Sequence, residues 1–175
     1  MDKKMFKVAF LGDAASGKTQ IFNQLCNKPF SEDYDPTIED SYKFVLNDKF
    51  KTEVTIYDTA GQPNYDALLD VYIQMAECVF ICFALNYEEQ QKIAQEKFKN
   101  IPIVVVGTKS DMREDKDEII RLKLMGRKMI ETEDGIKFAQ SIGAVGYFEC
   151  SAKTKFNIHL VLQTISKIIK LEKGY

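Results

Sequence analysis

Apolar and polar positions along the chain fall into blocks whose period changes between that of a strand and that of a helix. Cys78 to Leu85 and Ile103 to Gly107 are continuous apolar runs, the pattern of strands covered on both faces of a parallel sheet. Lys4 to Leu11 reads as a first strand and Gly146 to Cys150 as a last one. Ser41 to Leu46 and Lys51 to Tyr57 read as two strands joined at Asn47-Asp48, a hairpin-like turn signal. Helical spacing predicts helices over Gly17 to Asn27, within Thr59 to Met75, over Tyr87 to Lys99, and over Glu133 to Ile142, the last ending at Gly143. Lys155 to Leu171 is amphipathic, with Ile158, Val161, Leu162, Ile165, Ile168 and Ile169 on its core side. The charged stretch Met112 to Glu131 predicts a helix from Lys116 to Met125. Gly126 can stop that helix, but also interrupts the stretch enough to leave the helix poorly formed or the whole stretch a solvated loop. Strands alternating with helices define a three-layer α/β fold around a mostly parallel sheet.

Length and charge narrow this picture. With 175 residues the expectation is a single domain over 1–175 with one substantial core. A net charge of −2 gives no reason to expect nucleic-acid binding. Cys26, Cys78, Cys82 and Cys150 lack zinc-ligand spacing and read as free core thiols of a reducing cytosol. Met1-Asp2-Lys3-Lys4 leads straight into a strand rather than a signal-peptide core. The longest apolar run is far too short to span a bilayer. A cytoplasmic protein is expected.

The candidate chemistry begins at Gly12-Asp13-Ala14-Ala15-Ser16-Gly17-Lys18-Thr19. A G-x-x-x-x-G-K-[ST] string between an apolar strand and a helix is a phosphate-binding loop. Gly12 and Gly17 let the backbone curl so that successive N–H groups face phosphate oxygens. The positive end of the following helix points at the same anion. Lys18 can reach the β- and γ-phosphates, and the Thr19 hydroxyl can ligate Mg²⁺.

Three further strings follow predicted strand ends, the ligand-facing edge of such a sheet. In Asp58-Thr59-Ala60-Gly61-Gln62 the carboxylate can hold a Mg²⁺-bound water. The Gly61 N–H can approach a terminal phosphate, and Gln62 is placed to orient an attacking water. In Thr108-Lys109-Ser110-Asp111, Asp111 can accept two guanine N–H donors that adenine lacks, with the Lys109 stem along the base. In Cys150-Ser151-Ala152-Lys153 the Ala152 N–H can donate to guanine O6. Each string alone is a plain strand-end loop; their order and spacing together are not.

GDAASGKT, Thr37, DTAGQ, TKSD and CSAK together resemble the five guanine-nucleotide motifs of the Ras-superfamily small GTPases, over nearly the whole chain. Within that superfamily the chain looks closest to the Rho family. The Rho-like features are Ile142 to Glu149 leading into Cys-Ser-Ala-Lys-Thr, Asp13, Thr108 where Ras proteins carry Asn, Tyr65-Asp66-x-Leu68, and an insert-like region at Met112 to Glu131. Tyr34 to Tyr42 instead resembles the switch I loop of Ras proper. The resemblance implies a P-loop G domain with a six-stranded sheet, GTP or GDP as bound nucleotide, and Mg²⁺. Gly12, Ala14, Ala15, Ser16, Gly17, Lys18, Thr19 and Gln20 would line the phosphates. Phe30 would pack on guanine and Tyr34 would close over the phosphates. Thr108, Lys109, Asp111, Ser151, Ala152 and Lys153 would hold the base. Thr19 and Thr37 would ligate the metal, Asp58 through water, and Gln62, Lys18 and Thr37 would act in hydrolysis. Exchange factors, activating proteins and effectors would read Asp33 to Tyr42 and Gln62 to Tyr72 on a monomer.

Several features depart from the family. Ala14 stands where the family usually has Gly, since a side chain there crowds Gln62 and an incoming arginine finger; the expectation is slow, activator-resistant hydrolysis, the alternative being that the loop shifts slightly and accommodates the methyl. The 87–99 helix is about two turns shorter than the matching Rho helix, on the order of 10 Å. The chain ends Leu171-Glu172-Lys173-Gly174-Tyr175 with no C-a-a-X box, so membrane association is expected only through a lipidated tail outside this sequence. The rival readings are a GTP-loaded binding module with little turnover, a Ras-subfamily switch, and an ATP-using P-loop enzyme. The isolated His159, placed in a helix, and the Tyr72-Ile73-Met75 cluster read as structural.

Overall fold

A computed structural model describes residues 5–32, 39–59, 66–86, 98 and 100–173. Strand β1 (Met5–Leu11) leads through the glycine loop into α1 (Lys18–Leu25). Strands β2 (Glu39–Val45) and β3 (Glu53–Thr59) precede α2 (Asp66–Met75) and β4 (Cys78–Ala84). After β5 (Ile103–Thr108) come a 3-10 turn (Ser110–Arg113), α3 (Lys116–Leu124) and α4 (Thr132–Ser141). Strand β6 (Gly146–Glu149) and α5 (Leu160–Lys173) complete the order. The six strands form one sheet in the order β2-β3-β1-β4-β5-β6, parallel except for the β2–β3 pair. This is the α/β architecture expected of a P-loop GTPase fold.

Alternation along the inner strands builds two cores. Phe6, Val8 and Phe10 of β1, Cys78, Phe80 and Cys82 of β4, and Val104 and Val106 of β5 face one side with Phe22 of α1 and Ile165 of α5. The intervening Ala9, Leu11, Val79, Ile81, Ile103 and Val105 face the other with Tyr72, Leu122 and Ala139 of α2, α3 and α4. The apolar runs are continuous because each successive residue is claimed by a different layer. Phe10 stacks on Phe80 and meets Phe22 edge-on, each at 4.7 Å between centroids, the range where aromatic pairs add to simple burial.

The charged stretch after β5 is ordered. Asp115 caps α3, accepting from the N–H groups of Asp117 and Glu118 at 3.0 Å. Acids occupy its first turn and Arg121 and Lys123 its last, matching the helix dipole. Gly126 adopts φ 68°, so that its N–H reaches Lys123 O and that of Arg127 reaches Leu122 O. This pair of bonds terminates a well-formed helix. Gly126 therefore ends α3 rather than weakening it, and a solvated loop does not describe 116–124. Gly143 closes α4 in the same way, with Ala144 N–H on Ala139 O.

Other expectations shift. Helix α5 begins five residues later than its apolar spacing indicates, because Lys155 and Asn157 take positive φ and Ser151 N–H folds back to Phe156 O. Ile158 stays buried ahead of the helix, and His159 lies exposed in the turn before α5 rather than in a helix. The β2–β3 connection is a wider turn than Asn47-Asp48 alone. Leu46 N–H bonds Thr52 O, and the Asp48 carboxylate accepts from both the N–H and hydroxyl of Thr52. Cys78, Cys82 and Cys150 are buried, but Cys26, at the end of α1, is exposed. Tyr72 and Ile73 are core residues, whereas Met75 is exposed. Apart from Phe98, which is buried, the expected 87–99 helix lies outside the described residues.

Candidate functional site

Because β1, β3, β5 and β6 run parallel, the segments leaving their C-terminal ends share one edge of the sheet. The glycine loop is seated against the interior there. A Cβ on Gly12 would lie 2.2 Å from the Cys82 carbonyl, so only glycine lets β1 turn beside β4. Ala15 and Gly17 adopt φ of 59° and 90°, and Ser16 N–H bonds Asp13 O. Helix α1 then starts at Lys18 with no side-chain cap among the described residues.

The Lys18 ammonium is held inside the loop by Gly12 O at 2.8 Å, Asp13 O at 3.0 Å and the Ser16 hydroxyl at 3.2 Å. Burial pulls its pKa below the usual lysine range, and the carboxylates of Asp58 and Asp13 oppose that pull. The Thr19 hydroxyl, one residue on, donates to an Asp58 oxygen at 2.6 Å. Asp58 is buried at the end of β3, so two oxygen side chains from distant segments meet beside the ammonium. Hard oxygen donors of this kind suit Mg²⁺, which takes a few protein oxygens and completes its shell from water and phosphate. Thr19 and Asp58 fit such an ion.

The other half of the edge is tied to the loop by Thr108. Its buried hydroxyl donates to the Ser16 carbonyl, with Phe83 O 3.2 Å away. Lys109 follows in the left-handed region (φ 59°), which turns the chain sharply and leads its stem past Gly17. Burial lowers the Lys109 pKa, with Glu118 and Asp111 acting in the opposite direction. The Ser151 hydroxyl donates to Asp111 Oδ1 at 2.5 Å, and Ser110 N–H bonds Cys150 O, so the loops after β5 and β6 are locked together. Lys153 reaches across to Glu32 at 2.9 Å. Phe30, partly exposed, lies two residues before Glu32, and Gln20 accepts from Ser31 N–H at 3.5 Å. Ala14 and Ala15 are exposed on the loop and Ala152 is half-buried beside the core.

The edge therefore brings together the residues expected at 12–20, Phe30, Asp58, 108–111 and 151–153. Tyr34, Thr37, Gly61 and Gln62 lie outside the described residues, as do 33–38 and 62–65 of the two expected partner-reading segments.

Other residues support the edge without a local sequence signal. Asn86 donates to Glu118 at 2.6 Å, and Arg121 grips both Glu118 oxygens at 2.7 Å, holding that carboxyl down to about 2. Arg113 pairs with both oxygens of Glu149 and donates to Ile130 O, while the Tyr147 hydroxyl donates to Glu149 at 2.7 Å. That network fastens the turn after β5 to β6. Its members stand up to 36 residues apart, so no sequence window shows them.

A glycine loop, a buried lysine, a Thr–Asp oxygen pair and an Asp–Ser lock on one sheet edge define a P-loop nucleotide-binding protein. Comparison with known proteins narrows the class. The sequence model of the Ras family matches residues 7–171. The chain is 32% identical to GTP-binding protein RHO1 of Saccharomyces cerevisiae, covering 96% of this chain and 85% of that protein. It is also 32% identical to Rho-related GTP-binding protein RhoD of Homo sapiens, covering 96% and 84% respectively. The chain belongs to the Ras superfamily of small GTPases, close to its Rho family.

Proposed function

We propose that this small GTPase is a single G domain that holds GTP and hydrolyses it slowly. The observation that carries this reading is the convergence of Lys18, the Thr19–Asp58 pair and the Asp111–Ser151 pair on one edge. In this reading Lys18 and the N–H groups of 12–20 take the β- and γ-phosphates. Asp111 reads the N1 and N2 donors of guanine, with Lys109, Ser151, Ala152, Lys153 and Phe30 around the base. Thr19, Thr37 and, through water, Asp58 hold Mg²⁺, which supplies charge neutralisation to the phosphates when bound. Gln62 orients the attacking water and Lys18 stabilises charge on the transferred group. Loss of the γ-phosphate would release Thr37 and Gly61, so that Asp33 to Tyr42 and Gln62 to Tyr72 present different faces to exchange factors, activating proteins and effectors. A role in signalling to the cytoskeleton rests on likeness to the Rho family alone.

Ala14 favours the second reading, a GTP-loaded binding module with little turnover. An activator's arginine supplies about 10³ to 10⁵ in rate, and a methyl on the phosphate loop would obstruct it. Single-turnover GTP hydrolysis by wild type and Ala14→Gly, each with and without a Rho-type activating protein, separates the cases. The expected result is acceleration of the glycine variant alone, by about 10³ or more. Equal acceleration of both removes the resistance claim, and hydrolysis by neither leaves the binding module.

A further inference from the structure

Helix α3 presents two of its four apolar side chains, Ile120 and Leu124, away from the protein. Its one fully buried residue is Leu122. Ile120 and Leu124, one turn apart on one face, are 55% and 84% exposed, and Met125 at the helix end is 53% exposed. Lys116 and Lys123 flank that face at the neighbouring i−4 and i+3 positions, and carry no ion pair among the described residues. Arg121, on the other flank, is joined to Glu118.

The charge of this segment runs against that of the chain. The docking segment, Lys116 to Lys128, holds five basic residues (Lys116, Arg121, Lys123, Arg127 and Lys128) and two acidic ones, Asp117 and Glu118, the latter joined to Arg121. The remainder holds 24 − 5 = 19 basic and 26 − 2 = 24 acidic residues, a balance of −5. Aliphatic tips rimmed by lysine match a protein partner less well, since such interfaces are enriched in aromatic residues, Met and Arg and depleted in Lys. They match an anionic bilayer, where aliphatic tips enter the acyl boundary and lysines snorkel to the headgroups.

We propose that α3 and the turn after it form a docking face for an anionic lipid surface. Ile120, Leu124 and Met125 enter the interface, while Lys116, Lys123 and Lys128 pair with headgroup phosphates and carboxylates. This contact depends on neither the nucleotide site nor a lipidated tail. It sets an orientation in which the helix about 13 Å long lies flat on the membrane.

The test is flotation of the full chain with vesicles of phosphatidylcholine alone or mixed with phosphatidylserine, at low and high salt. Wild type, Leu124→Ser and Lys123→Glu are compared, with melting curves confirming that both variants fold. Binding is expected only with phosphatidylserine, falling with salt, about fivefold or more weaker in Lys123→Glu and about tenfold weaker in Leu124→Ser. No flotation at low salt overturns the proposal, as does binding that both variants retain in full. Concentration-dependent self-association lost in Leu124→Ser, without flotation, assigns the face to a second copy of the chain instead.

Discussion

Thr108 illustrates how single atoms hold the site. Its hydroxyl joins the end of β5 to the phosphate loop through the Ser16 carbonyl, a bond spanning 92 residues of sequence. Thr108→Val keeps the shape but leaves that carbonyl without its donor. The expected cost is about 1 to 3 kcal/mol, seen as a melting point lower by roughly 2 to 10 °C and as weaker guanine-nucleotide binding. Thr108 itself was legible because it opens the Thr108 to Asp111 string; its reach to Ser16 was not. The same division holds for Lys109 and Glu118. The lysine stands in a motif, while the carboxylate beside it comes from another helix. Spacing in sequence encodes what one loop does with its own backbone, and side-chain partners from separate elements depend on packing that no short window contains.

At the scale of elements, apolar period placed the six strands and helices α1, α2, α4 and α5, but not every boundary. Helix α3 was the uncertain case, because its sequence lacks a buried stripe and offers one fully buried residue, Leu122. Its stability comes instead from its ends: Asp115 at the start and Gly126 at the finish. Gly126→Ala isolates the second of these, since a Cβ there meets nothing within 4 Å and only the left-handed backbone resists it. Urea denaturation is expected to show a loss of about 1 kcal/mol. Helix α5 shows the reverse error. Its apolar spacing continues back to Ile158, but left-handed residues at Lys155 and Asn157 delay the helix itself. Period records which side chains are buried, and these positive-φ residues leave no mark on it.

The whole molecule can be probed through its cysteines. Cys78, Cys82 and Cys150 all lie in the core shared by α1 and α5, and burial pushes the Cys78 and Cys150 thiols up to about 12. Only Cys26 is exposed. Thiol labelling of the native protein at pH 8 is expected to modify one cysteine per chain quickly. The other three should react on the order of 10³-fold more slowly or less, since they require the core to open. Fast modification of more than one would show that the α5 side of the sheet opens locally.

The strand order carries a consequence for synthesis. Strand β1, made first, lies inside the sheet; β3 joins it on one side with β2 outside, and β4, β5 and β6 add on the other side in the order in which they are translated. Each new strand on that side finds its neighbour already present. The layer over Phe6, Val8 and Phe10, however, is completed by Val161, Ile165 and Ile169 of α5. The first apolar surface of this sheet to be made is thus sealed by the last of the described helices, and until α5 has been made the growing domain depends on whatever shields that face.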